Sequence, residues 1–180
     1  MRVFANRFIP LYMSVVGLAG CLALVLTPSA RAQAVTAQAL GDRAQIQDLI
    51  TRYYYNFGNS NPESFTDFYA DDAELILGNA HFKGKAGIEK AYARAGKSGP
   101  TRNSPYSFNV TISNPLIVVH GDTATSELIF TEYVIAKQGD TPRIRTQGRE
   151  YATFIRVNGH WRYRTREIKG GTKPPAGWTE

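Results

Sequence analysis

Three side chains in this chain have the right chemistry for acid–base work if folding brings them together: Tyr53, Asp72 and His81. A phenol at Tyr53 that faces a pocket can donate a hydrogen bond to a carbonyl and stabilise the charge of an enolate as it develops. A carboxylate at Asp72, close behind Phe68 and Tyr69, has a raised pKa if it sits among aromatics and then serves as a general base. His81, in the run Gly78-Asn79-Ala80-His81, titrates near neutral pH. Each has a plainer reading. Tyr53 is then a core tyrosine needing only a polar partner, Asp72 a corner residue between helix and strand, and His81 an exposed turn residue. His81, His120 and His160 show no metal-ligand spacing, so neither a metal site nor a cofactor is expected.

The elements that must position these residues are read from periodicity. Ile46, Leu49, Ile50, Tyr53, Tyr54 and Phe57 recur at helical spacing and give one buried face. Asp42 reads as the N-cap of that helix, with Gln45 completing a capping box; Gly58 and Asn59 read as its stop. Asn61-Pro62-Glu63 opens a second helix carrying Phe65, Phe68 and Tyr69 and ending at Asp71-Asp72. Glu74 to Leu77 reads as a short strand, and Gly87 to Ala95 as a third helix with Ile88, Ala91 and Tyr92 inward. From Tyr106 onward the period changes. Tyr106 to Val119, Thr123 to Ala136, Ile144 to Val157 and Trp161 to Ile168 read as long strands. Gly121-Asp122 and Asn158-Gly159 mark tight turns. On the last strand, alternation sends Trp161, Tyr163 and Thr165 to the pocket face and Arg162, Arg164 and Arg166 to the outer face. The acids Glu127 and Glu132, with Arg149 among them, are possible partners on that face, through which a homodimer is expected.

The N-terminus has its own logic. Arg2 and Arg7 precede an apolar stretch from Leu11 to Leu26, followed by Ala30-Arg31-Ala32 and Ala32-Gln33-Ala34. That order is that of a cleaved secretory signal over residues 1–32, with cleavage after Ala32 or Ala34. The stretch is short for a stable span, which needs about 20 apolar residues. A periplasmic or secreted location follows. Leu18-Ala19-Gly20-Cys21 offers the alternative of a lipoprotein acylated at Cys21. Cleavage removes Cys21, the chain's single cysteine, and lowers the formal charge from +6 to about +3. The basicity is thus partly the signal's, and no nucleic-acid partner is expected. Residues 33–41 read as a linker, 42–169 as one domain and 170–180 as a flexible tail, with Trp178 tucked back.

The ordered set Ile46, Leu49, Arg52-Tyr53, Phe68-Tyr69-Ala70-Asp71-Asp72-Ala73, Phe82-Lys83-Gly84 with Ile88, Asn114-Pro115, Gly121-Asp122-Thr123-Ala124 and Gly159-His160-Trp161-Arg162 resembles the SnoaL-like branch of the nuclear transport factor 2-like superfamily over about residues 42–168. The resemblance implies an α+β fold: a cone-shaped roll with three N-terminal helices packed on a strongly bent antiparallel sheet that encloses a pocket. Tyr53 and Asp72 match family positions. Dehydratase-type relatives carry an Asp near the end of the first helix and a His on the strand after the third; those positions fall here on Gly58 and on Val110, beside Asn109.

Two functions stay open. One is cofactor-free isomerisation, cyclisation or dehydration of a small hydrophobic oxygenated ligand, with Tyr53 as donor and Asp72 or His81 as base. The other is a non-catalytic ligand-binding or oligomerisation domain, since the Asp–His pair is missing. Phe57, Phe68, Tyr69, Tyr92 and Trp161 are the expected ligand-binding residues, an aromatic lining typical of small-molecule pockets. Convergence of Tyr53, Asp72 and His81 on one cavity distinguishes the two.

Overall fold

The first helix, α1 (Ala37–Asn56), begins five residues before the expected cap. In the computed structural model, which describes residues 36–57, 63–98, 107–171 and 173–179, Thr36 is the N-cap, its hydroxyl accepting from the Ala39 amide at 3.1 Å. Good helix formers, Ala37 to Leu40, carry the helix through Gly41. Asp42 therefore lies inside α1 and is buried at 2% exposure, which corrects its reading as a cap. Ile46, Leu49, Ile50, Tyr53 and Tyr54 follow on the same buried face. The signal segment with Cys21, the Gly58-Asn59 stop and the Asn61-Pro62 cap lie outside the described residues.

Two further corrections follow. The second helix is a single turn, α2 (Glu63–Thr66), and the chain is already extended at Tyr69. β1 (Tyr69–Leu77) thus absorbs Tyr69 to Ala73, and Asp72 stands on a strand instead of a helical corner. β2 (Ala80–Lys83) pairs with β1 as an antiparallel hairpin, so His81 is a strand residue. α3 (Gly84–Ser98) comes after this hairpin. Among the described residues, two long helices and one helical turn therefore replace three helices gathered at the N-terminus. β3 (Ser107–His120), β4 (Thr123–Ile135), β5 (Arg143–Val157) and β6 (His160–Lys169) fall where the second half of the sequence placed strands. Asn158 and Gly159, at φ 50° and 80°, make the tight β5–β6 turn, the left-handed pair such a hairpin requires.

The six strands form one sheet in the order β2-β1-β6-β5-β4-β3. All neighbours are antiparallel except β1 and β6, which run parallel. The sheet is therefore mixed, not antiparallel. A hairpin cannot join parallel neighbours, and here the two strands lie at opposite ends of the domain sequence. α1 packs on β3 and β6, and α3 on β1 and β2. The core between them is built from Ile46, Ile50, Tyr53, Leu75, Ile88, Leu128, Phe154 and Tyr163. On the opposite face, Trp178 folds back onto Tyr151, ring centroids 5.2 Å apart.

One irregularity in β6 positions the site. Thr165 is opposite Thr153 on β5, but the next pair is Tyr163 with Phe154, which leaves Arg164 without a partner on β5. Such a bulge exchanges the faces of the residues beyond it. Trp161 and Tyr163 point into the core before the bulge, and Arg166 does so after it. The expected stripe of three outward arginines is thus reduced to Arg162 and Arg164. Arg166 is buried because a single extra residue re-aims it.

Candidate functional site

The inward turn of Arg166 brings a guanidinium among the tyrosines of α1. Its neighbour across the strands is Ala152, fully buried and small, which leaves room for the side chain to reach Glu150 two residues along β5. Arg166 Nε and Nη2 both lie 2.7 Å from Glu150 Oε2. Arg166 Nη1 donates to the Tyr53 hydroxyl at 2.9 Å, and Nη2 to that of Tyr54 at 3.0 Å. Tyr54 and Tyr163 donate to Glu150 at 2.5 and 3.2 Å. The guanidinium also lies 4.2 Å from the Tyr53 ring centroid, a favourable cation–π placement. Every charge is thus paired and hydrogen-bonded, the condition under which a buried ion pair is tolerated.

The cluster continues toward α3. The Tyr92 hydroxyl lies 2.6 Å from that of Tyr53 and 2.8 Å from that of Tyr69, while Phe65 of α2 stacks on the Tyr92 ring at 4.7 Å. Three hydroxyls joined by two hydrogen bonds hold three protons, so one O–H is left unspent. Tyr53 accepts from Arg166 and is 0% exposed; Tyr69 is 1% exposed; Tyr92 alone keeps some exposure. Either hydroxyl can donate in each of these two bonds, and the Tyr92 oxygen also accepts from Arg166 Nη1 at 3.5 Å. Burial pushes Tyr53, Tyr54, Tyr69, Tyr92 and Tyr163 well above the ordinary phenol pKa, so all five are neutral hydroxyls. Burial works against the Arg166 charge, yet Glu150, Tyr53, Tyr69 and Tyr54 together outweigh it and hold the guanidinium protonated.

Beside this cluster lies a cavity of about 200 Å³. Its wall is formed by Tyr53, Tyr54, Phe57, Tyr92, Leu75, Leu77, Ala91, Phe130, Ile168, Arg166 and Glu132. Among the described residues Glu132 of β4 is the one carboxylate on it. Burial raises the Glu132 pKa, opposed by Arg145 at 3.7 Å.

The residues expected from sequence are only partly assembled here. Tyr53, Phe57 and Tyr92 form cavity wall. Tyr69 supports Tyr92 from behind, and Phe68 packs its ring 5.6 Å from that of Tyr53. Trp161 lies in a different polar cluster, donating to Asp42 at 3.3 Å under the Arg156 guanidinium. Asp72 and His81 do not reach the cavity. Asp72 is exposed and 3.5 Å from Arg164; His81 is exposed and 2.9 Å from Glu74. Strand alternation in β1 explains Asp72, since Ala73 and Leu75 take the inward positions. Val110 is half-buried against the core, and Gly58 lies outside the described residues. The charged residues missed are Glu150, Arg166 and the inward role of Glu132. One signal was available: the apolar positions of β6 switch from odd at Trp161 and Tyr163 to even at Ile168, which betrays the bulge. Among the described residues no group of His, Cys, Asp or Glu is placed to hold a metal ion, and no described helix is long and apolar enough to cross a membrane.

The family model for the SnoaL-like domain matches residues 38–167. Among solved structures, the fold is similar to a protein of unknown function from Mycobacterium tuberculosis, 16% identical over 74% of each chain with a TM-score of 0.63. It is also similar to a nuclear transport factor 2-like protein with a cystatin-like fold from Novosphingobium aromaticivorans, 23% identical over 73% of this chain and 82% of that one, TM-score 0.59. A protein of the same organism provisionally named scytalone dehydratase is 18% identical over 78% of this chain and 97% of that one, TM-score 0.61. At these identities the likeness is one of fold. No curated protein matches the chain.

Proposed function

Because the chain belongs to the SnoaL-like domain family, whose fold hosts both enzymes and non-catalytic binders, we propose that its cavity binds a small, mostly apolar, oxygenated molecule and moves a proton on it without a cofactor. The observation that carries this reading is the pairing on one apolar wall of the half-buried Tyr92 hydroxyl with the Glu132 carboxylate, whose pKa burial raises. Tyr92 donates to the ligand oxygen that gains negative charge, and Tyr53, Tyr69 and Arg166 hold that donor in place before the ligand arrives, so no reorganisation is needed as charge develops. Glu132 takes the proton. Tyr53 supports the donor instead of contacting the ligand, and Asp72 and His81 have no part. Isomerisation, cyclisation and dehydration all fit this pair of groups.

The test is Glu132→Gln, which keeps size and polarity and removes the base. Turnover on a panel of cyclic ketones and hydroxylated polycyclic aromatics is expected to fall by about 10²–10⁴-fold, with ligand affinity nearly unchanged. Wild-type protein that binds the panel without converting any member selects the second reading, a non-catalytic pocket, which the apolar Val110 favours.

The order of charge, apolar run and Ala-x-Ala sites supports action outside the cytoplasm. Mass spectrometry of the protein from its native host is expected to show a start at Gln33 or Val35. An acylated Cys21 at the N-terminus would instead make it a lipoprotein.

A further inference from the structure

The charge balance of the cluster narrows the ligand. A lone arginine on the wall of an apolar cavity is a natural receptor for a carboxylate, because its planar fork matches two oxygens. Arg166 is not available for this. Its Nε and Nη2 face Glu150, Nη2 also serves Tyr54, and Nη1 serves Tyr53. Glu150 is 0% exposed and Arg166 4%, so the pair presents no net charge to the cavity. The second charged group on the wall, Glu132, repels anions. What remains on the wall to meet a ligand oxygen is the neutral hydroxyl of Tyr92.

We propose that the cavity selects an uncharged carbonyl compound, a ketone, enone or quinone, and rejects the corresponding carboxylate, and that Glu150 sets this choice although the ligand does not touch it. The inference rests on the reading of the cavity as a small-molecule site. A cavity of about 150 Å³ accommodates benzene, so this one suits a molecule of one or two rings. Without Glu150 the guanidinium would be an uncompensated charge next to that molecule, and the preference should turn toward anions.

The matched probes are 2-acetylnaphthalene and 2-naphthoate, titrated calorimetrically at pH 7.5 into the mature protein. Wild type is expected to bind the ketone at least about tenfold more tightly, since burying an unpaired carboxylate is far more costly than burying a carbonyl that accepts a hydrogen bond. Glu150→Gln should shift the ketone-to-acid ratio toward the acid by about tenfold or more, and the double variant Glu150→Gln with Arg166→Gln should restore the wild-type order, because the uncompensated guanidinium is gone. The wild-type ratio decides the matter even where Glu150→Gln fails to fold. Equal or tighter binding of naphthoate by wild type overturns the proposal while leaving the cavity a binding site. An unchanged ratio in folded Glu150→Gln removes Glu150 as its determinant. Binding of neither probe by any form rejects the small-molecule reading itself, and the proposal with it.

Discussion

Glu150→Ala is expected to destabilise the fold by about 3–5 kcal/mol, because it strands a buried guanidinium. Glu150 is fully buried, and its carboxylate takes Arg166, Tyr54 and Tyr163 at once. Its removal leaves Arg166 with only tyrosine oxygens to face, and two phenols lose their acceptor. Removing both charges should do less harm. Glu150→Leu with Arg166→Met replaces the pair with apolar volume and avoids an orphaned charge, so its loss should be clearly smaller than that of Glu150→Ala alone. Urea denaturation of the three proteins gives the comparison. A single-variant loss under about 1 kcal/mol, the range of exposed pairs, would show that the cluster is more hydrated than its geometry implies.

A second large effect belongs to Asp42. This buried carboxylate, one turn into α1, accepts from Arg156 at 2.7 Å, from Gln38 at 3.0 Å and from Trp161 at 3.3 Å. Arg156 in turn reaches Asp122 in the β3–β4 turn at 2.9 Å. One side chain thereby fastens the start of α1 to the far end of the sheet. Asp42→Ala is expected to cost about 2–3 kcal/mol, the range for hydrogen bonds to charged groups, and less than Glu150→Ala because Arg156 keeps Asp122 and some access to water. The pH dependence gives an independent signature. The Arg156 hydrogen bond is the main cause holding the Asp42 pKa below the ordinary carboxylate value. Its stabilising contribution is therefore complete above the unfolded pKa of about 3.9 and is lost as pH falls through the lower folded value. Thermal unfolding followed from pH 7 to pH 2 should show Asp42→Ala losing less stability than wild type below pH 4. Parallel curves for the two proteins would mean that Asp42 is not bound as tightly as these distances indicate.

The two predictions separate what local sequence conveys from what it leaves open. Ile46, Leu49, Ile50, Tyr53 and Tyr54 announced the buried face of α1, because helical spacing is visible to anyone counting residues. The β-branched and aromatic runs and the Asn158-Gly159 turn announced β3 to β6 in the same way. The family motifs, read in order, announced the α+β class. All of these signals act within a few residues of one another.

The start of α1, the length of α2 and the centre of the site were decided elsewhere. Gly41-Asp42 looks like a helix boundary, and only the arrival of Arg156 and Trp161 makes a mid-helix carboxylate acceptable. Phe68 and Tyr69 suit a helix face or a strand equally well, and pairing with β6 settles the matter for Tyr69. Asp72 and His81 had the right chemistry but stand on strand positions whose neighbours take the inward places. Arg166 looked like an outward charge in an alternating strand, and a bulge at Arg164 reverses that alternation. The tyrosines that make the burial of Arg166 and Glu150 tolerable lie far away along the chain: Tyr54 is 96 residues from Glu150, and Tyr53 is 113 from Arg166. Alternation and periodicity are local properties, whereas the free energy of burying a charge depends on whether distant groups arrive to pair with it. That is why the sequence by itself determined the family, the buried face of α1 and the strands β3 to β6, while the tertiary structure decided the start of α1, the length of α2 and which charges face the cavity.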